Sequence, residues 1–230
     1  MRIQLIYKKL YASFGPQHWW PAETPFEVMI GAILTQGTSW SNVEKAIRNL
    51  KDRKLLLPSR LHKLSVKELG LLIKSAGYYN IKARRLKNFL NFLFSSYRDS
   101  IKKISGVGVM ELRAQLLAVN GIGPETADSI LLYALGKPAF VVDAYTKRIL
   151  YRHGLVKKGW DYSRVQEVFV KGLKPRPRLF NEYHALLVRL GKDFCLKNNP
   201  RCGGCPLHSM LKKRALKKSK DIQSSLIRGL

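Results

Sequence analysis

The chain has 230 residues, 46% of them hydrophobic, enough to bury the core of one domain or two small ones and too many for a disordered basic tail. Forty-two Lys and Arg stand against 15 Asp and Glu, a formal charge of +27, which favours a polyanionic partner such as nucleic acid and leaves a generally basic or ribosome-associated protein as the other reading. Residues 1–9 lack a signal-peptide core and no run approaches the roughly 18 apolar residues of a membrane span, so the expectation is a cytoplasmic monomer with no membrane partner.

The punctuation along the chain is helical. Thr24-Pro25-Phe26-Glu27 has the form of a capping box with proline at the first helical position, and Phe26, Met29, Ile30, Ile33 and Leu34 follow at helical spacing. That helix should stop near Thr35-Gln36-Gly37, and a second should run from Trp40 through Val43, Ile47 and Leu50. Ser65-Val66-Lys67-Glu68 is another capping box, opening a helix that ends at Gly77. Asn80 is expected to cap a long amphipathic helix with Ile81, Leu86, Phe89, Leu90 and Leu93 inward and Lys82, Arg84, Arg85 and Lys87 outward. Residues 110–118 and 125–135 form two helices around a glycine turn, and Pro138 makes residues 137–142 extended. Further helices should cover 143–153, 162–172 and 180–191, with 174–178 a loop. Neither strand signals nor internal repeats occur, and the lysine-rich residues 212–230 are expected to fray.

The turn Val119-Asn120-Gly121-Ile122-Gly123-Pro124-Glu125-Thr126-Ala127 carries the chemistry. Gly121 and Gly123 let backbone amides point outward, Ile122 anchors the turn, and the helix opening at Pro124 completes a site for a phosphate oxygen. Val141-Val142-Asp143 arrives shortly afterwards, with Asp143 placed to cap the next helix. With Leu34-Thr35-Gln36 and the segment Ala76-Gly77-Tyr78-Tyr79-Asn80-Ile81-Lys82-Ala83, this pattern resembles the helix-hairpin-helix and catalytic aspartate of the endonuclease III superfamily of DNA glycosylases. The resemblance covers most of the chain, about residues 26–205. It implies an all-α fold of two helical lobes, residues 26–137 forming a helical barrel with the DNA-binding hairpin and residues 1–25 and 138–211 the second lobe, with damaged double-stranded DNA in the cleft between them. It also implies that Asp143 stabilises the oxocarbenium character of the breaking glycosidic bond and orients water.

One departure bears on the reaction. Bifunctional members carry a lysine where this chain has Glu125, and a carboxylate cannot form the Schiff base that lyase chemistry needs. Trp19-Trp20-Pro21 and Trp40, together with Glu125, are similar to the 3-methyladenine glycosylase branch, in which aromatic residues at these positions sandwich the methylated base. A cationic methylpurine between aromatic faces gains about 0.5 to 2 kcal/mol. Simple packing of the three tryptophans is the other reading. Gln36 and Tyr78 match positions that fill the gap left by a flipped base or wedge the partner strand, while Lys82, Arg84 and Arg85 lie near phosphates or merely on a solvated face.

Cys195, Cys202 and Cys205 are too closely spaced to staple a fold and reproduce three of the four cysteines of the [4Fe-4S] loop in many endonuclease III relatives. Leu211 stands at the fourth position, so an intact cluster is not favoured, while a cluster with another ligand, zinc with His208, or no metal at all stay open. The resulting expectation is a monofunctional base-excision-repair glycosylase for alkylated purines. The rivals are a glycosylase for oxidised or deaminated pyrimidines, with lyase activity absent or supplied by Lys137 or Lys147, and a non-catalytic helix-hairpin-helix DNA-binding protein.

Overall fold

A computed structural model describes residues 2–211; the expected frayed tail at 212–230 lies outside the described residues. Every regular element among the described residues is helical. In chain order these are α1 (Arg2–Phe14), α2 (Pro25–Leu34), α3 (Trp40–Asp52), α4 (Pro58–Lys63), α5 (Val66–Leu72), α6 (Tyr79–Tyr97), α7 (Ile101–Gly106), α8 (Val109–Ala118), α9 (Pro124–Ser129), α10 (Ala144–Arg152), α11 (Tyr162–Gly172) and α12 (Pro177–Asp193). The chain divides into two compact units, one holding Trp20–Ala139 and the other the segments up to Trp19 and from Phe140 onward.

In the unit Trp20–Ala139, α2 is the central rod: every residue from Phe26 to Leu34 is buried, so its mean apolar character rather than a single stripe puts it inside. Thr24 Oγ1 accepts from the Glu27 amide at 3.1 Å, but Glu27 reaches back to the Glu23 amide rather than to Thr24, so the expected capping box is only half formed. Its other oxygen pairs with Lys51 at 2.9 Å, which together with Glu23 ties residues 20–25 to α3. The Ser65–Glu68 capping box is complete. Its helix stops at Leu72 and is followed by a 3-10 turn, Lys74–Ala76, before Gly77 at φ +68°.

The long helix α6 departs from expectation at its start. Tyr78, not Asn80, occupies the N-cap position, so α6 begins two residues earlier than an Asn80 cap would allow. The inward face runs through Lys82, Ala83, Leu86, Phe89, Leu90, Leu93 and Tyr97, and Ile81 is 44% exposed. Ile81 and Lys82 therefore exchange the faces assigned to them: Lys82 sits four residues before Leu86 and shares its stripe. The helix expected at 125–135 changes character midway, α9 passing into a π turn at Ile130–Ala134.

The other unit is organised around α12, whose buried face includes Phe180, Tyr183, His184, Leu186, Leu187 and Leu190. It opens at Pro177, inside the stretch expected to be loop, because proline suits the first helical turn. Phe140 stacks on Phe169 of α11 at 3.7 Å between centroids, and Tyr183 Oη donates to the Ile3 carbonyl of α1 at 2.8 Å. The α10–α12 crossing is close. A Cβ on Gly191 would lie 2.3 Å from Tyr145 Cδ1. Gly191→Ala should therefore cost about 1–3 kcal/mol in thermal or urea melting, from overpacking against Tyr145. Gly203→Ala, with nothing within 4 Å of the added carbon, should be close to neutral.

Candidate active site and DNA-contacting hairpin

The hairpin joins α8 to α9 through residues 119–123. Gly121 sits at φ +96°, and a Cβ there would lie 2.3 Å from Arg85 Cγ, so both conformation and space demand glycine. Ile122 is buried, as an anchor of the turn requires, while Gly123 is exposed and precedes Pro124 at the first position of α9. Arg113 of α8 holds the buried Asp128 of α9 in a two-bond grip, Nε to Oδ1 at 2.7 Å and Nη2 to Oδ2 at 3.2 Å, fixing the angle of the two helices.

Three residues assigned to DNA contact meet different fates. Gln36 is half-buried and engaged: its Nε2 donates to the Gly121 carbonyl at 3.0 Å and to Thr126 Oγ1 at 2.8 Å, and its Oε1 accepts from Arg85 Nη1. Tyr78 is 73% exposed and held at φ +46°, a left-handed conformation that is strained for a bulky residue. Lys82 is corrected from phosphate contact to interior residue. It is 1% exposed, and its Nζ donates to the carbonyls of Leu34 and Ala76, each at 2.7 Å. Burial, and secondarily the Arg85 charge, push its ammonium down to about 8.

The aromatic residues assigned to the base form a cluster within the same unit. Trp20 meets Trp40 edge to face at 5.1 Å and 89°, and Tyr133, from the π turn, at 5.2 Å. The Trp20 indole packs over Gly31, where a Cβ would lie at an ordinary contact distance of 3.4 Å. Trp40 Nε1 donates to Glu44 at 2.7 Å. Trp20 and Trp40 are in mutual contact, so the two rings present no parallel slot between them. Pro21 is exposed, and the half-buried Trp19 belongs to the other unit. Glu125 is an exposed carboxylate in the first turn of α9. Tyr133 carried no sequence signal, because only the π turn distinguishes it from a helix-face tyrosine.

Asp143 caps α10, its Oδ1 accepting from the Thr146 amide at 2.7 Å. Its Oδ2 lies 3.6 Å from Nε2 of the buried His184 on α12, a neighbour that spacing could not reveal. Burial pushes the carboxyl up, but His184 facing it and the hydrogen bond from the Thr146 amide outweigh this, so the group lies below its ordinary range. The side chain retains 13% of its exposure. A carboxylate fixed by a helix amide, ionised and partly open to solvent can stabilise a developing cation and orient a water.

The cysteine loop is organised by arginines of α10. Arg152 Nη1 donates to Cys195 Sγ at 3.2 Å and to the Leu196 carbonyl at 2.6 Å, while Arg148 Nε donates to the Cys195 carbonyl at 2.7 Å. Burial pushes the Cys202 and Cys205 thiols up. His208 Nδ1 lies 2.9 Å from the Cys202 carbonyl, and among the described residues no three His, Cys, Asp or Glu side chains converge as ligands of a metal ion. With Leu211 at the fourth position, this donor set does not fit a four-thiolate cluster.

Asp143→Asn keeps an N-cap acceptor, so melting should change little while base excision falls by about 10² to 10⁴-fold. Because the folded-state carboxyl is depressed, its contribution to stability is present above the unfolded value and lost as pH falls through the folded one. His184→Gln removes the main opposing charge, so the acid limb of the single-turnover pH profile should move to higher pH.

Residues 30–175 match the HhH-GPD superfamily of base excision DNA repair proteins. A Methanocaldococcus jannaschii protein assigned as a DNA repair glycosylase is 47% identical over 206 residues, 89% of this chain and 93% of the relative. Endonuclease III of Thermotoga maritima is 32% identical over 88% of this chain and 89% of its own length. The structure of Helicobacter pylori 3-methyladenine DNA glycosylase MagIII bound to 1,N6-ethenoadenine is similar at a TM-score of 0.72 and 27% identity, covering 83% of this chain and 97% of that one. None of the described helices is long and apolar enough to cross a membrane. The chain belongs to the HhH-GPD superfamily, as a DNA glycosylase of base excision repair related to endonuclease III.

Proposed function

We propose that this glycosylase is monofunctional and hydrolyses alkylated purines, such as 3-methyladenine, from double-stranded DNA. The observation that carries the reading is Glu125, a carboxylate in the first turn of α9 where lyase relatives hold the lysine that forms a Schiff base. The Trp20–Trp40–Tyr133 cluster supports a cationic base, since electron-rich aromatic faces attract a methylated purine by about 0.5 to 2 kcal/mol. The likeness to MagIII points the same way.

In this reading Gln36 and Tyr78 enter the duplex as the target base leaves the stack, and Pro21 lies beside Trp20 of the aromatic cluster. The amides of Gly121 and Gly123 take a phosphate, while Ile122, its amide bonded to the Val119 carbonyl at 3.0 Å, anchors the turn. The glycosidic bond breaks with its electrons leaving on the base, already a good leaving group when positively charged. Asp143 faces the cationic sugar, orients the water whose oxygen bonds to the anomeric carbon, and takes up the water's proton. The product is an abasic site in an unbroken strand.

A second reading, excision of an uncharged oxidised or deaminated pyrimidine, is favoured by the closure of Trp20 on Trp40. Chromatography of the bases released from methylated, uracil-containing and oxidised duplexes separates the two. The account expects methylpurines from the first substrate, with strands intact until alkali is added. Uracil or an oxidised pyrimidine as the main product would replace it with the second reading, and no released base from any substrate would leave a DNA-binding protein without catalysis.

A further inference from the structure

Lys82 is the one lysine assigned to phosphate that the fold takes inside, and its two acceptors explain why. The Leu34 carbonyl is at the C-terminal end of α2, where helix carbonyls lack intrahelical partners and a cation is favoured. Two residues later the chain reaches Gln36. The Ala76 carbonyl closes the 3-10 turn, and two residues later the chain reaches Tyr78. Lys82 also donates its own backbone amide to the Tyr78 carbonyl at 3.0 Å. One residue thus grips the Tyr78 turn twice and the Gln36 loop once.

A buried ammonium is an expensive way to join two carbonyls, since desolvation opposes the charge. Arg85, one turn further along α6, adds a second link: its guanidinium holds Gln36 and its stem packs on Gly121. The strained φ of Tyr78 needs surroundings that over-determine it, and Lys82 supplies them from below.

We propose that Lys82 is a positioning residue for base extrusion, holding the Gln36 loop and the Tyr78 turn at one fixed separation so that the two act on the duplex as a unit. This rests on the reading above that Gln36 and Tyr78 enter DNA. Lys82 contacts neither phosphate nor the reacting sugar; its effect passes through these two side chains. Even when deprotonated, its amine retains two N–H groups for two carbonyls, so the clamp survives mildly alkaline pH.

The test uses a duplex carrying a tetrahydrofuran abasic-site analogue opposite 2-aminopurine, whose fluorescence rises when it is unstacked, with affinity measured separately by anisotropy. Wild type, Lys82→Met, Lys82→Arg, Gln36→Ala and Tyr78→Ala are compared. Lys82→Met should bind with an unchanged salt slope, because no phosphate contact is lost. It should nevertheless lose most of the fluorescence rise, and Lys82→Arg should restore part of it. In excision, a misplacement of this kind is expected to cost up to about 10²-fold.

If Gln36→Ala and Tyr78→Ala both leave the fluorescence rise intact, the reading that these residues enter DNA fails. If they abolish it while Lys82→Met keeps it, the proposal for Lys82 fails. Equal loss of binding and of signal in Lys82→Met would make Lys82 a fold-stabilising residue only and also overturns the proposal. Should Lys82→Met not fold, Lys82→Gln, which keeps an amide donor, is judged by the same criteria.

Discussion

The proposed chemistry depends on a carboxylate that must be desolvated and yet remain ionised. Asp143 meets both demands through the geometry of one helix start: the Thr146 amide binds one oxygen, and His184 faces the other at 3.6 Å. In the proposed mechanism the bond that caps α10 also aims the carboxylate, so stability and catalysis would share one contact. The close crossing of α10 with α12 at Gly191 and Tyr145 extends this dependence, because α12 brings His184 to the site. Even the cysteine loop is bound into it, through Arg148 and Arg152 on the same α10.

The unit Trp20–Ala139 follows a similar economy with different parts. Its hairpin, its Gln36 loop and its Tyr78 turn are held by neighbouring residues of α6: Lys82 through carbonyls, Arg85 through Gln36 and the Gly121 turn. Ile122 roots the hairpin in the core, while the Gln36 loop and the Tyr78 turn are held by polar contacts. Polar side chains rooted in a long, well-packed helix therefore set their positions, and the strain at Tyr78 is sustained by the rigid helix behind it.

Much of this was legible in the chain itself. Capping boxes, proline and glycine located α2, α5 and the hairpin, and apolar spacing located α3, since those signals act within a few residues, and the Gly121 conformation follows from the turn. What escaped was decided by partners distant in sequence. Lys82 reads as a solvated charge until Leu34 and Ala76 offer their carbonyls, although its spacing of four from Leu86 placed it on the apolar stripe. His184 lies on a helix far along the chain from Asp143, and Tyr133 depends on a π turn that leaves no residue signature. The N-terminal helix α1 was legible in Ile3, Ile6 and Leu10, whose spacing gives one buried face.

Glu125 is where the account is most exposed. A hydrolytic enzyme that uses Asp143 alone must release base without ever bonding covalently to the sugar. Borohydride added during turnover on a methylated duplex reads this directly, since it traps any imine as a stable protein–DNA adduct. Free base should accumulate with no adduct. An adduct forming in step with base release would contradict this reading and assign the chemistry to a lysine elsewhere in the chain.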